Sequence, residues 1–255
     1  LSDVVDKYLS LPQFTIAIRR DATRNQYAYL LRKLCELKYK GKTVGSVAID
    51  KLRPSTCQDL YYLMIKQSQG EGVRGANYTV QVAVRAWNVL IKHDLLDRNP
   101  WSLVERMQAA PRHTVWTNAN FESILKTAFA ERRWRNIGLL IRINAELGQR
   151  AGDMRLVQWE NFDLEQQLYV RESIEKTREH IPGIPISDNL KRMIIDQKEY
   201  YAFQPWVVPN PNTMEPYTES GLRHTFRRLA RAANIPDKLQ FRDIRRTVLT
   251  DLANH

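Results

Sequence analysis

Apolar side chains recur at helical spacing along the chain, and this periodicity most narrows the folds open to it. In the clearest segment, Tyr27, Leu30, Leu31 and Leu34 follow the i, i+3, i+4, i+7 pattern after a polar start at Asp21. Further helices are predicted over 57–67, from about 77 to the 99–100 Asn-Pro pair, and over 120–130, 137–147, 190–201, 222–233 and 242–255. The chain is therefore expected to be mainly α.

One stretch departs from the helical period. Leu168 and Val170 alternate with polar residues, and Ile181, Ile184 and Ile186 follow a charged turn. Alternation of this kind is typical of strands, so the sequence predicts a β-hairpin or short sheet in an otherwise helical region. The expected fold class is mainly α with a small β-hairpin or sheet.

The length and one compositional shift predict two domains. A chain of 255 residues can bury two cores, and small and polar residues dominate the stretch 109–116. We therefore expect a helical domain at 1–108, a linker at 109–116 and a second domain at 117–255.

Charge favours a polyanionic partner. The chain has 39 Lys and Arg against 28 Asp and Glu, a net charge of +11 and a pI near 9.7. This balance indicates nucleic acid or an acidic membrane surface, although net charge can also serve solubility alone. No apolar run is long enough to cross a bilayer.

Cysteine and histidine usage gives no sign of metal chemistry. Two cysteines form neither a disulfide framework nor a zinc motif, and the five histidines are scattered. The sequence predicts no metal, no cofactor and a reducing cytoplasmic location.

Arginines stand in two distinctive local settings. A small-residue turn over 147–153 would present Arg150 on a tight backbone, and Arg242 and Arg245 share a face of the last helix. Two guanidinium groups on one face suit a phosphate. Taken singly, each motif also fits a solvated basic patch or an ion pair with Asp153 or Asp243.

Together, the order and spacing of these motifs resemble those of the tyrosine recombinase and phage integrase family. Gly148, Arg150 and Asp153 are similar to its first arginine box, Lys176 to its hairpin lysine, and 242–245 to its His-x-x-Arg box. The likeness covers nearly the whole chain and implies a helical core-binding (DNA-clamp) domain followed by an α+β catalytic domain. The similar-looking segment 222–226 lies on the preceding helix, and we interpret it as a basic helix face.

Two departures from the family pattern matter. Arg242 stands where the family has histidine, so it can act only as a permanent cation. No tyrosine follows Arg245, while Tyr200, Tyr201 and Tyr217 precede it and are interpreted as core or surface aromatics. The resemblance thus predicts a C-terminal truncation, with the nucleophilic tyrosine beyond the segment and the segment alone inactive.

The resemblance implies a site-specific DNA recombinase or integrase. Such an enzyme cuts and rejoins duplex DNA through a 3′-phosphotyrosyl intermediate, for integration or excision of a phage or mobile element. The implied partners are double-stranded attachment sites, a homo-tetramer on DNA and DNA-bending accessory proteins, in a nucleoid-associated cytoplasmic setting. The expected catalytic residues are Arg150, Lys176, Arg242 and Arg245, and the expected DNA contacts are Arg24, Arg74 and Arg85.

Two other function classes fit the same residues. A non-catalytic DNA-binding protein on the same scaffold would tolerate the change at Arg242 and the missing tyrosine. A helical RNA-binding or structural module would use the arginines for electrostatics alone. Formation of a covalent protein–DNA adduct separates the recombinase from both.

Overall fold

A computed structural model describes residues 1–68, 72–110, 114–170 and 183–253. Within these residues, helices predominate and the strands form two small antiparallel sheets, which confirms the expected fold class. The chain divides into two compact units, Leu1–Pro111 and Arg112–His255, each with its own apolar core.

The first unit is a helical bundle with a two-stranded ribbon. Its elements are α1 (Ser2–Ser10), α2 (Pro12–Thr15), α3 (Asp21–Glu36), β1 (Lys38–Tyr39), β2 (Lys42–Thr43), α4 (Pro54–Gln67) and α5 (Val73–Lys92). The predicted start of α3 is confirmed, and α4 begins at Pro54 because proline's fixed φ suits a first helical position. The first two helices and the ribbon were not predicted.

The end of α5 differs from the sequence prediction. This helix stops at Lys92, and Asp94 then takes a left-handed backbone with φ +55. The Asn-Pro pair expected to end it instead opens a 3-10 turn, where the Asn99 side chain accepts from the Trp101 amide. The turn places Trp101 edge-to-face against Trp87 of α5, with 6.1 Å between ring centroids.

Hydrogen-bonded or buried residues of both units occur within the interval 109–116 that the sequence predicts as a linker. In the first unit, the Met107 amide donates to the Tyr61 hydroxyl at 2.8 Å, and Arg74 donates to the Ala110 carbonyl at 2.6 Å. In the second unit, Thr114 and Trp116 are already buried.

The second unit surrounds one buried helix. Its elements are α6 (Asn118–Ala130), α7 (Arg135–Leu147), α8 (Ala151–Met154), β3 (Phe162–Asp163), β4 (Leu168–Tyr169), β5 (Ile184–Pro185), α9 (Asp188–Tyr201), α10 (Glu219–Ala232) and α11 (Phe241–Ala253). The central helix is α7, buried along most of its length and packed against α6, α9, α10 and α11.

The predicted hairpin is confirmed and extended. β4 pairs with β5 in antiparallel register, with Leu168 opposite Pro185 and Tyr169 opposite Ile184. A third strand, β3, adds to the other edge of β4, so the sheet order is β3-β4-β5. The sequence analysis did not predict β3, in which Phe162 pairs with Tyr169 and Asp163 with Leu168.

A buried hydroxyl ties the start of the second unit to α11. The Thr247 Oγ1 atom accepts from the Trp116 amide at 2.8 Å and donates to the Asp243 carbonyl at 3.1 Å. The Thr247 side chain is only 4% exposed. Its hydroxyl therefore satisfies a buried amide that water cannot reach.

Thr247→Val is expected to lower the free energy of unfolding of the second unit by about 1–3 kcal/mol, because the Trp116 amide loses its acceptor. Urea denaturation followed by tryptophan fluorescence measures the change. The matched control is Thr127→Val in α6, whose hydroxyl only donates to a carbonyl of its own helix. Equal losses in the two variants would contradict this role for Thr247.

Candidate active site

The turn between α7 and α8 fixes the backbone that carries Arg150. Gly148 ends α7 in the left-handed region, with φ +56, and a Cβ there would lie 3.0 Å from Val248 Cγ1. The Arg150 carbonyl then accepts from the Asp153 and Met154 amides at 2.9 and 3.0 Å. The left-handed backbone and the close packing at position 148 both favour glycine there. The Arg150 side chain is exposed on the turn that follows.

Arg245 of α11 reaches this same turn. Its Nη1 donates to the Gly148 carbonyl at 2.8 Å, across 97 positions of sequence. The contact brings the second arginine motif to a backbone atom two residues before Arg150. The guanidinium has further N–H groups for another acceptor, since arginine carries five donors.

Arg242 lines a cleft beside the turn. The cleft has a volume of about 600 Å³ and lies between α8, α10 and the first turn of α11. Ala151 and Gly152 of the arginine turn form part of its wall. The start of α11 is capped by Asp243, whose Oδ2 accepts from the Gln240 amide at 2.9 Å.

The segment before α11 differs from the short strand-like approach that the sequence predicts over 239–241. Leu239 and Gln240 lie in coil directly before the helix, and Phe241 is its first residue. The ion pair considered for Asp243 is formed at 3.9 Å with Arg246, while Arg245 turns to the Gly148 carbonyl.

Four arginines and one glutamate line the cleft, and they differ in how far their charge is already used. Arg155 donates to the Tyr217 carbonyl at 3.1 Å, and Arg227 donates to Asp237. Arg223 and Arg242 are exposed and form no ion pair among the residues that the structure describes. These two side chains are available to an anion in the cleft.

Arg223 was missed by sequence reasoning. It lies in the segment 222–226, which is a basic helix face as predicted, but that face lines the cleft. The available signal was the spacing within α10: Leu222 and Phe226 are buried, so the side chain next to each projects at the edge of the buried face.

The proposed lysine is not located. Lys176 lies outside the described residues, in the sequence between β4 and β5. Its part in the site stays a prediction.

The three tyrosines before Arg245 differ in exposure. Tyr217 is 2% exposed, and burial raises its pKa to about 12, so its hydroxyl is a poor source of phenolate. Tyr200 is exposed, and the Arg135 guanidinium lies over its ring at 5.1 Å. The structure gives Tyr217 a core position and Tyr200 a surface position.

The arginines proposed as DNA contacts in the first unit are placed differently from one another. Arg24 is half-buried, donates to the Ile18 carbonyl at 2.6 Å and pairs with Asp21, so part of its charge is neutralised. Arg74 contacts the Ala110 carbonyl. Arg85 is exposed and lines a shallow depression described below.

Two further features bear on the function class. Among the described residues, no three His, Cys, Asp or Glu side chains lie close enough to hold a metal ion. No helix in the same residues has the length and apolar character needed to cross a membrane.

The fold is similar to those of solved integrases. The chain matches a structure of the Tn1549 transposon integrase in complex with transposon right end DNA, with a TM-score of 0.76 and 16% identity, over 98% of this chain and 86% of that one. A lambda integrase dimer bound to a COC′ core site gives 0.75 and 16%, over 97% and 68%. A lambda integrase tetramer bound to a Holliday junction gives 0.75 and 15%, over 96% and 68%.

A comparison with curated proteins gives no match. The sequence pattern of the phage integrase family matches residues 115–255, which is more than half of the chain. With the two-unit fold and the arginine motifs joined at the Gly148 turn, this match establishes that the chain belongs to the phage integrase family of tyrosine recombinases.

Proposed function

We propose that this protein is a site-specific DNA recombinase that integrates or excises a phage or other mobile element. The observation that carries the proposal is the hydrogen bond from Arg245 to the Gly148 carbonyl, which joins the two arginine motifs that the family uses on one phosphate. The exposed Arg150 and Arg242 beside this contact give the same region further positive charge.

The proposed reaction is a transesterification. A tyrosine hydroxyl attacks the scissile phosphorus, its oxygen bonds to the 3′ phosphate, and the 5′ oxygen leaves and takes up a proton. A 5′ hydroxyl from a second strand then attacks the phosphotyrosyl bond and restores the tyrosine. Each step exchanges one phosphoester for another, so the reaction needs no ATP.

The arginines have the chemistry that this transition state requires. Negative charge gathers on the non-bridging phosphate oxygens during attack, and fixed guanidinium donors stabilise it most at that point. We assign this role to Arg150 and Arg245, with Arg242 as a third cation on the phosphate. Lys176 is proposed to protonate the 5′ oxygen, since an ammonium can release a proton and a guanidinium cannot.

The first unit has a surface suited to the DNA backbone. Arg19, Arg20 and Arg85 line a depression of about 300 Å³ with Tyr27, at the start of α3; we call it the α3 depression. The Thr23 amide donates to the Arg20 carbonyl, and no side chain among the described residues caps the helix, so the Asp21 and Ala22 amides remain available to an anion. We propose that these groups hold a backbone phosphate of duplex DNA. Arg74 is proposed as a separate contact with the DNA.

The assembly proposed for the reaction is a homo-tetramer on double-stranded DNA. The support is the similarity to integrases solved as a dimer on a core site and as a tetramer on a Holliday junction. Accessory DNA-bending proteins and a nucleoid-associated location remain expectations from the family resemblance.

A non-catalytic DNA-binding role is the second candidate. The observation that favours it is Arg242 in the position of the family's histidine, because a permanent cation cannot exchange a proton during the reaction. Binding and cleavage experiments separate the two functions.

The full-length protein is expected to form a covalent adduct with a nicked suicide duplex that carries its attachment site. The nick releases the short strand after cleavage, so the phosphotyrosyl intermediate accumulates and is detected by denaturing gel. Mass spectrometry should map the link to a tyrosine C-terminal to Arg245. Specific binding with no adduct would support the non-catalytic role instead.

Arg150→Ala and Arg245→Ala are each expected to reduce adduct formation in the full-length protein by about a hundredfold or more, with most duplex affinity kept. Because Arg245 also holds the Gly148 turn, Arg245→Lys and a thermal melt control for local damage. Arg192→Ala, an exposed arginine of α9 outside the cleft, is the matched control. Parallel loss of binding and cleavage would reassign these arginines to docking.

Arg20→Ala/Arg85→Ala is expected to weaken duplex binding by the 255-residue chain. Each lost phosphate contact should lower the slope of log affinity against log salt by about 0.9. Fluorescence anisotropy at several salt concentrations measures both quantities, with Arg106→Ala, exposed and outside the α3 depression, as control. An unchanged slope in the double variant would exclude the depression as a phosphate site.

A further inference from the structure

A second basic depression lies in the second unit, away from the candidate active site. It has a volume of about 690 Å³ and is lined by the turn Arg132–Trp134, by residues 210–212 and 214 of one loop, and by Tyr201, Tyr217, Thr225 and Arg228. We call it the arginine depression. Neither the family's arginine boxes nor the cleft residues take part in it.

The helix α10 separates the arginine depression from the cleft. Arg223 and Arg227 line the cleft, whereas Thr225 and Arg228 line the arginine depression. At 100° per residue these two pairs lie roughly 150° apart around the helix axis. The buried row that contains Phe226 separates the two pairs on the core side of the helix, and exposed residues of α10 separate them on the solvent side.

The lining of the arginine depression is strongly cationic. It contains three arginines and, among the described residues, no carboxylate. Arg133 pairs with Glu131 at 2.7 Å and stacks over the Trp134 ring at 4.1 Å. Arg132 and Arg228 are exposed and form no ion pair within the described part of the chain. Two full positive charges therefore face the space.

Its wall is formed before any ligand arrives. In the 210–215 loop, the Asn210 amide donates to the Glu215 carbonyl, and the Met214 amide donates to the Asn210 carbonyl, both at 2.8 Å. Beneath the loop, Asn136 donates to the Pro209 carbonyl at 2.7 Å from a fully packed position on α7. A preformed wall lowers the ordering cost of binding.

We propose that the arginine depression binds a nucleotide, either a free one or an unpaired nucleotide of a DNA strand. Arg132 and Arg228 hold the phosphate, because the planar guanidinium fork matches phosphate oxygens. The half-buried ring of Tyr201 offers a stacking surface for the base. Its volume lies within the range of about 300–1,000 Å³ typical of small-molecule sites.

The amide side chains in the loop favour a nucleotide over an acidic peptide. Asn210 uses its Oδ1 to accept from the Asn212 amide, which leaves its NH₂ group as a donor. The exposed side-chain amide of Asn212 can both donate and accept. A base edge presents both donors and acceptors, whereas a carboxylate only accepts, so the paired amides match the base.

Isothermal titration of the 255-residue chain with ATP tests the proposal. Arg132→Ala/Arg228→Ala is expected to weaken ATP binding about tenfold to a hundredfold through loss of charged hydrogen bonds. The matched control Arg231→Ala, exposed on α10 outside both basic surfaces, should leave the affinity within about twofold. Arg223→Ala reports whether ATP binds in the cleft instead. Thermal melts verify that each variant folds.

Three comparison ligands complete the test. Inorganic tripolyphosphate should bind more weakly than ATP, because it lacks a base to stack. A short single-stranded oligonucleotide that displaces ATP, and weakens equally in the double variant, identifies an unpaired strand as the source; failure to displace identifies the free nucleotide. Tyr201→Leu should weaken ATP binding and leave tripolyphosphate binding unchanged.

Several outcomes would overturn the proposal. These are absence of ATP binding at millimolar concentration, equal affinity in the double variant, loss through Arg223→Ala, or equal affinity for tripolyphosphate and ATP. Binding of polyglutamate in place of ATP would assign the surface to an acidic protein partner. None of these results depends on DNA cleavage, so the proposed recombinase activity is judged separately.

Discussion

The close contact between α11 and the end of α7 is the constraint on which the candidate site depends. Arg245 can donate to the Gly148 carbonyl only because the chain turns left-handed at that glycine and brings Val248 against it. The contact joins segments 97 residues apart, and the buried face of α7 supports it from below. Backbone geometry and core packing therefore set the position of the Arg245 guanidinium group.

An excess of arginine does not mean that every arginine is free. Arg24, Arg155 and Arg227 donate to backbone carbonyls within their own units, so they hold the chain as well as charge its surface. Arg223 and Arg242 are exposed in the cleft with no such carbonyl contact among the described residues. The distinction depends on tertiary neighbours, which a count of basic residues cannot reveal. It separates arginines that contribute only to the overall positive field from the few that can bind a phosphate directly.

The sequence predicts the elements whose signal is local. The apolar period of α3 and the alternation that begins at β4 are sufficient, because each reflects one face turned to a core. The Asn99-Pro100 pair predicts an end of α5 that is too late in the sequence. The helix ends at Lys92, before the left-handed backbone of Asp94. The arginine boxes were recognised by order and spacing, whereas the cleft role of Arg223 requires knowing which helix flank the core leaves exposed.

Helix α10 forms a wall of both the cleft and the arginine depression, so the buried apolar side chains of this helix support both surfaces. A change in the volume of Phe226 or Leu229 would shift the helix as a rigid rod and so tilt both walls together. Side chains on the two flanks, in contrast, can be exchanged one at a time without disturbing the core. Natural variation could therefore tune one surface while the other stays intact, provided that the row beneath them is kept.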